Sequence, residues 1–244
     1  MSRCFAIAQR EFGSFFATPV AYVYLIIFLV LNSVLTFFVG DFYHRGQADL
    51  FPFFSFHPWL YLLLVPAFAM RSWSEERKSG SIELLMSLPV SVAEAVMGKF
   101  FAYWLILALA LVMTVPLWLT VNYLGKPDNG VILAAYIGSW LMSGAFLAIS
   151  ICISALTRSQ VVAFILAVMM CALFVVSGFE MILDTFRNWA STTIIDTVAS
   201  LSFLTHFDVM SRGVLAADDV VYFLLVIAVW LYACCIIVDE NRAA

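Results

Sequence analysis

Long apolar runs alternate with short polar links along the whole chain. Six stretches carry no Asp, Glu, Lys or Arg: Val20–Val39, Phe51–Met70, Phe100–Val121, Ile132–Leu156, Val161–Phe179 and Val220–Val238. Each is close to the roughly 20 residues that a helix needs to cross the hydrocarbon core. A closed barrel, the other structure that can span a bilayer, would show short strands alternating apolar and polar positions, and these runs are continuous. The pattern predicts an all-α membrane protein with six transmembrane helices, read as 20–39, 54–78, 99–121, 132–156, 160–179 and 219–238. The second needs an argument of its own. Pro52 and Pro58 place its start near Pro58, and the residues from there to Met70 are too few to cross about 30 Å. The helix is therefore expected to continue through Arg71 and Trp73 into the polar stretch that follows, or to tilt little and begin earlier.

The segments between and before these runs carry their own periodicities. In residues 2–18, Phe5, Ala8, Phe12, Phe15 and Phe16 recur at helical spacing, while Arg3, Arg10 and Glu11 break any signal-peptide core. An amphipathic helix lying in the membrane interface is expected there, stopped by Pro19. Along 132–156, Ala135, Ser139 and Ser143 form an i, i+4, i+8 ladder of small side chains that would let two helices approach closely. Residues 180–218 mix charges with Ile, Leu, Phe and Trp, which predicts short amphipathic or re-entrant helices at the membrane surface. Leu201, Leu204, Phe207, Val209 and Met210 are expected on one side, with Gly213 as a stop.

Composition supports the same class. The 244 residues are 64% apolar and only 11% charged, whereas a globular domain is nearer half apolar and a quarter charged. The five cysteines have no zinc-finger or CxxC spacing, and those inside apolar runs behave as small hydrophobes. Charge is informative through its distribution. If both termini face the cytoplasm, the inner segments hold Arg3, Arg10, Arg71, Arg77, Lys78, Lys99, Arg158 and Arg242, against Arg45, Lys126, Arg187 and Arg212 outside. The positive-inside rule selects this orientation, with 180–218 periplasmic.

Seven of the 28 charged residues crowd between Arg71 and Glu94. On a helix Glu75 could pair with Lys78 at i, i+3, for a few tenths of a kcal/mol. Gly80 reads as a helix break, Ser81 as the cap of a short second helix, and Pro89 as its end. Ile82, Leu85 and Met86 lie on one side of that helix, an apolar face that needs a partner to cover it. A solvated hairpin joining two spans is the equal alternative from pattern alone.

Catalytic chemistry is missing. Neither Gly98-Lys99 nor Gly125-Lys126 completes a Walker loop, and no HExxH, GxSxG or paired-cysteine motif occurs. No span has a charge at its centre, which argues against ion-coupled carriers, pumps and intramembrane proteases. His57 has no acidic neighbour in sequence and is expected at the interface. Met169, Met170 and Cys171 offer soft sulfur, but sulfur in an apolar helix is ordinarily packing.

The string Glu75-Glu76-Arg77-Lys78-Ser79-Gly80-Ser81-Ile82-Glu83-Leu84-Leu85, followed by Pro89-Val90-Ser91, resembles the signature of ABC-2 type transporter permeases. There a Glu-(Lys/Arg)-x-x-Gly-(Thr/Ser)-x-Glu-x-Leu stretch follows the second span. Leu201–Asp208 and Arg212–Leu215 are similar to the gliding-motility GldF-like subgroup, and more distantly to NosY-like permeases. The resemblance covers the whole chain and implies one transmembrane domain over 1–244 with the ABC-2 (type V exporter-like) fold. It implies a cytoplasmic coupling helix over 80–89 that docks on a separate ATPase. The residues it points to for that contact are Glu75, Glu76, Gly80, Ser81, Ile82, Glu83, Leu84, Leu85, Leu88 and Pro89. Leu63, Pro66, Phe164, Val168 and Phe174, on the second and fifth spans, become candidates to line the path.

The same resemblance implies the partners. Two ATPase subunits bind on the cytoplasmic side, a second permease copy or a paralogue completes the membrane part, and a periplasmic accessory protein accompanies the subgroup. The chain itself is expected to be no enzyme and to bind no cofactor, with ATP and Mg on the partner ATPase, and to sit in the bacterial inner membrane. Three readings follow: an exporter subunit, a mechanotransmitting permease that drives a periplasmic protein without moving a solute, and a standalone channel or secondary carrier. The third would have to work without an ATPase.

Overall fold

The computed structural model describes residues 3–80, 91–179 and 198–243, and these are helical with no strand among them. In order the helices are α1 (Arg3–Ala17), α2 (Val20–Val34, continued by a wider turn at Leu35–Val39), α3 (Phe51–Ser55), α4 (His57–Ala69) and α5 (Arg71–Ser79). They are followed by α6 (Val92–Val112), α7 (Val115–Leu124), α8 (Asn129–Leu156), α9 (Gln160–Val176), α10 (Phe203–Ser211) and α11 (Ala217–Ala243). Among the described residues, four stretches are long and apolar enough to cross a membrane: Val20–Val39, Val92–Leu124, Asn129–Leu156 and Ala217–Glu240. Gln160–Val176 is equally apolar but shorter. The chain is thus an all-α, multi-pass membrane protein.

The hub of the bundle is α8, about 42 Å long at 1.5 Å per residue. From Leu141 to Ala155 every one of its residues is buried, because α4, α5, α6, α9, α10 and α11 all pack against it. Asp128 caps its start, its carboxylate accepting from the N–H groups of Gly130 and Val131. The expected small-residue ladder lies in this interface: Ala135, Ser139 and Ser143 are all buried. Gly138 marks a second close approach, since a Cβ there would stand 2.9 Å from the Cβ of Met210 on α10.

Ser139 also anchors a polar network. His57 Nδ1 lies 2.7 Å and Tyr61 Oη 2.8 Å from its Oγ, and Asn32 Nδ2 of α2 lies 3.1 Å from His57 Nε2. With the amide donating to Nε2, the imidazole carries its proton on Nδ1 and donates to Ser139. His57 is fully buried within the protein, a setting that its sequence surroundings do not show. Its partners come from positions 25 and 82 residues away, beyond the reach of any local reading.

Several boundaries differ from the periodicity. The third apolar run extends back to Val92, because Ser91 and Glu94 form a reciprocal capping box. It is also broken between Val112 and Val115, with Pro116 in the first turn of α7. On α10 the buried positions are Phe203, Phe207 and Met210, spaced i, i+4, i+7; Leu201 and Val209 face outward. Ser202 caps the start of this helix, its hydroxyl accepting from the Leu204 N–H, and Gly213 follows at φ 91°.

The N-terminal helix lies along α6. Their contact is closest at Gly98, where a Cβ would stand 2.8 Å from Ile7 Cγ2 and 3.1 Å from the Cys4 carbonyl oxygen. Gly98→Ala should therefore push α1 off α6 and lower stability by about 1–3 kcal/mol, the usual cost of overpacking. Thermal unfolding in detergent, with limited proteolysis near Thr18 as a local probe, checks this.

Candidate functional site

The polar stretch after the second apolar run begins on α5, and three elements hold α5 in place. Backbone dihedrals stay helical through Met70, so α4 passes into α5 without a turn-out. Ser154 of α8 sits at this junction. Its Oγ accepts from the N–H groups of Trp73 and Ser74, each at 3.1 Å, and donates to the Met70 carbonyl at 2.9 Å. One hydroxyl on the hub helix thereby fixes the rotation of α5. The Arg77 guanidinium adds a second tie to α8 through the Ala155 carbonyl.

The third tie is ionic. Lys99 on α6 is 2% exposed, yet its ammonium lies 2.7 Å from Glu76 Oε1 and 3.6 Å from Glu11 Oε1. It also stands 4.9 Å from the centroid of the Trp73 ring, within cation–π range. Arg10 reaches the same Glu11 oxygen at 2.8 Å. Three helices far apart in sequence, α1, α5 and α6, therefore meet on one ammonium. Burial alone would raise the Glu11 pKa, but Lys99 first and then Arg10 outweigh it, and the carboxyl is held below its ordinary 4.5.

Glu75 and Lys78 form no ion pair, contrary to the i, i+3 expectation. Glu76 turns inward to Lys99 instead, because a buried ammonium gains far more from a carboxylate than an exposed lysine does. Glu75 is exposed, and α5 ends where Gly80 adopts φ 72°, a left-handed conformation that a side chain disfavours. Ser81, Ile82, Glu83, Leu84, Leu85, Leu88 and Pro89 lie outside the described residues. Of the path candidates, Leu63 faces outward, Pro66 is buried, and Phe164 and Val168 are half-buried. Phe174 stacks on Phe203 at 5.1 Å. The helices carrying them, α4 and α9, pack side by side. Met169 is exposed while Cys171 is buried against the Phe146 carbonyl, so the sulfurs diverge. Among the described residues no group of three or more His, Cys, Asp or Glu could hold a metal ion.

Lys99 escaped the sequence reading as a site residue. Its only local signal is a cation just ahead of an apolar run, and neither Glu76 nor Glu11 is within helical reach of it along the chain. Ser154 gave no signal at all.

Removing one member of a buried ion pair costs about 3–5 kcal/mol, while replacing both can be nearly neutral. Glu76→Gln should accordingly lower stability by up to about 3 kcal/mol, since Glu11 remains, and the Glu76→Gln/Lys99→Met double variant should recover most of it. A double-mutant cycle of detergent unfolding midpoints measures the coupling. The pH dependence has a definite sign. Because the folded Glu11 pKa is depressed, its contribution is complete above 4.5 and is lost as pH falls through the lowered folded value. The unfolding midpoint in detergent should therefore fall as pH drops below 4.5 in the native chain, and fall less steeply in Glu11→Gln.

A family model described as ABC-2 family transporter protein matches residues 60–238. No curated protein matches the chain. The match begins inside α4 and ends inside α11, taking in α5, the Gly80 turn, α6 and the hub helix. A multi-pass helical chain that this family model matches over most of its length belongs to the ABC-2 transporter permeases and is an ABC transporter membrane subunit.

Proposed function

We propose that the chain is the permease subunit of an ATP-driven exporter, moved by a separate cytoplasmic ATPase through the 80–89 segment. Membership of the family implies an ABC ATPase as partner, with the permease as the membrane component. The observation that carries the reading further is how α5 is held. A segment docked on an ATPase just beyond Gly80 would pull on a helix fixed to α8 by Ser154 and Arg77, and to α1 and α6 by Lys99. Force applied there has no slack to absorb it, and it reaches the hub helix directly.

The finer parts of the proposal follow. Six spans, both termini cytoplasmic and residues 180–218 periplasmic agree with the distribution of basic residues. The α4–α5 rod, His57 to Ser79, and the shorter α9 supply the second and fifth crossings. Val161, Ile165, Met169 and Leu173 form an exposed apolar strip on α9, and Leu63 is exposed on the neighbouring α4. A second permease copy is assigned to this strip, with the path between the copies along α4 and α9. ATP and Mg belong to the two ATPase subunits, in a bacterial inner membrane, and a periplasmic accessory protein would meet 180–218.

Leu85→Ala and Glu83→Gln should each weaken ATPase binding by about tenfold, the usual cost of losing an interface anchor, without changing the fold. Co-purification with the ATPase and ATP turnover in sealed vesicles measure this; unchanged binding and turnover in both variants would remove 80–89 from the coupling path. Vesicles holding all subunits also separate export from mechanotransmission. Solute accumulation that depends on ATP supports the first, and ATP turnover that moves only the periplasmic partner supports the second.

A further inference from the structure

Two cavities meet at Arg71. One, of about 300 Å³, is an apolar slot between α2 and α4 lined by Val20, Val23, Ile27, Leu64, Ala67 and Phe68. The other, of about 320 Å³, is a polar pocket between α1, α5 and α6 that includes Ser14, Thr18, Glu75 and Lys99. Val20, Phe68 and Arg71 line both, so the two form one groove with an apolar arm and a polar arm. In a membrane protein, such a groove beside an amphipathic helix has the shape of an amphiphile: tail in one arm, head in the other.

The charges in the polar arm say which head. Lys99, Glu11, Arg10 and one oxygen of Glu76 pair with one another, and the second Glu76 oxygen is buried away from the groove mouth's exposed charges with no hydrogen bond among the described residues. What remains is Arg71 and Glu75, one turn apart on α5, both exposed and neither in a hydrogen bond or ion pair among the described residues. An unpaired guanidinium at the mouth of an apolar slot suits a phosphate, which it can bind through two parallel N–H donors. The carboxylate one turn further from the slot suits a cation carried beyond that phosphate. A head with a phosphate and, two carbons on, a primary ammonium presents both in the required order.

We propose that this groove holds one amine-bearing zwitterionic phospholipid, its phosphate on Arg71, its ammonium on Glu75 and an acyl chain between α2 and α4. A trimethylated ammonium has no N–H to give Glu75, and a head without an amine leaves Glu75 unmatched, so the site discriminates among common lipids. The site requires only that the chain lie in a membrane, and it stands whether or not a solute is moved.

The test uses the purified chain in micelles doped equally with phosphatidylethanolamine, phosphatidylglycerol and phosphatidylcholine, with bound lipid counted by native mass spectrometry. One phosphatidylethanolamine should be retained, about tenfold above either competitor, as expected for one charge-assisted hydrogen bond. Glu75→Gln should bring phosphatidylethanolamine down to the level of phosphatidylglycerol. Arg71→Gln should lose both, and Val23→Trp should fill the apolar arm and abolish retention with the head contacts intact. All three positions are exposed, so helicity and elution volume should match the parent chain. Equal retention of the three lipids by the parent chain would overturn the proposal, as would a preference that survives Glu75→Gln. Displacement of the lipid by soluble phosphoethanolamine at equal concentration would also overturn it, since the acyl arm would then contribute nothing.

Discussion

An ammonium 2% exposed among helices is tolerable only beside a carboxylate, and that constraint at Lys99 organises one end of this protein. Glu76 must stay within 3 Å of it, which fixes the inner face of α5. Glu11 must stay near, which fixes α1 against α6. Trp73 covers the ammonium from one side. Loss of any one contact leaves the others carrying a charge that the surroundings do not solvate. The three helices are therefore coupled more tightly than apolar packing in lipid would make them, since apolar faces gain little from leaving a lipid environment.

The opposite constraint governs α8. It carries no charge to satisfy, and its contribution is close approach. Small residues let α4, α10 and the rest reach its backbone, and its hydroxyls then supply the polar contacts that lipid cannot. Ser139 receives His57 and Tyr61 near one end, and Ser154 receives the α4–α5 junction near the other. The same helix thus meets the polar network reached by α2 and the helix that leads out to Gly80. The coupling proposed for 80–89 would use this connection, since α5 ends at Gly80 and is tied to α8.

The two arrangements also explain why the groove at Arg71 exists. With Lys99 paired inward to Glu76, the exposed face of α5 is left with Arg71 and Glu75, and neither has a hydrogen bond or ion pair among the described residues. Pro19 turns the chain between α1 and α2, and this opens a slot beside α4 that no side chain fills.

Sequence alone determined the class of protein: six uncharged runs of membrane-spanning length force helices, because a bilayer leaves no other way to satisfy the backbone. It also marked where helices bend or stop, at Pro19, Pro58, Gly80 and Gly213, since proline and glycine act through local dihedral limits. The family signature could be read on Glu75–Leu85 for the same reason, as a contiguous string. What only the tertiary structure decided were contacts between positions distant in the chain. Lys99 with Glu76 and Glu11, Ser154 with Trp73, and His57 with Asn32 and Ser139 depend on how the helices rotate and pack. That packing includes close approach at Gly98 and Gly138, where a neighbouring helix needs the missing Cβ, and hydrophobic periodicity does not encode it.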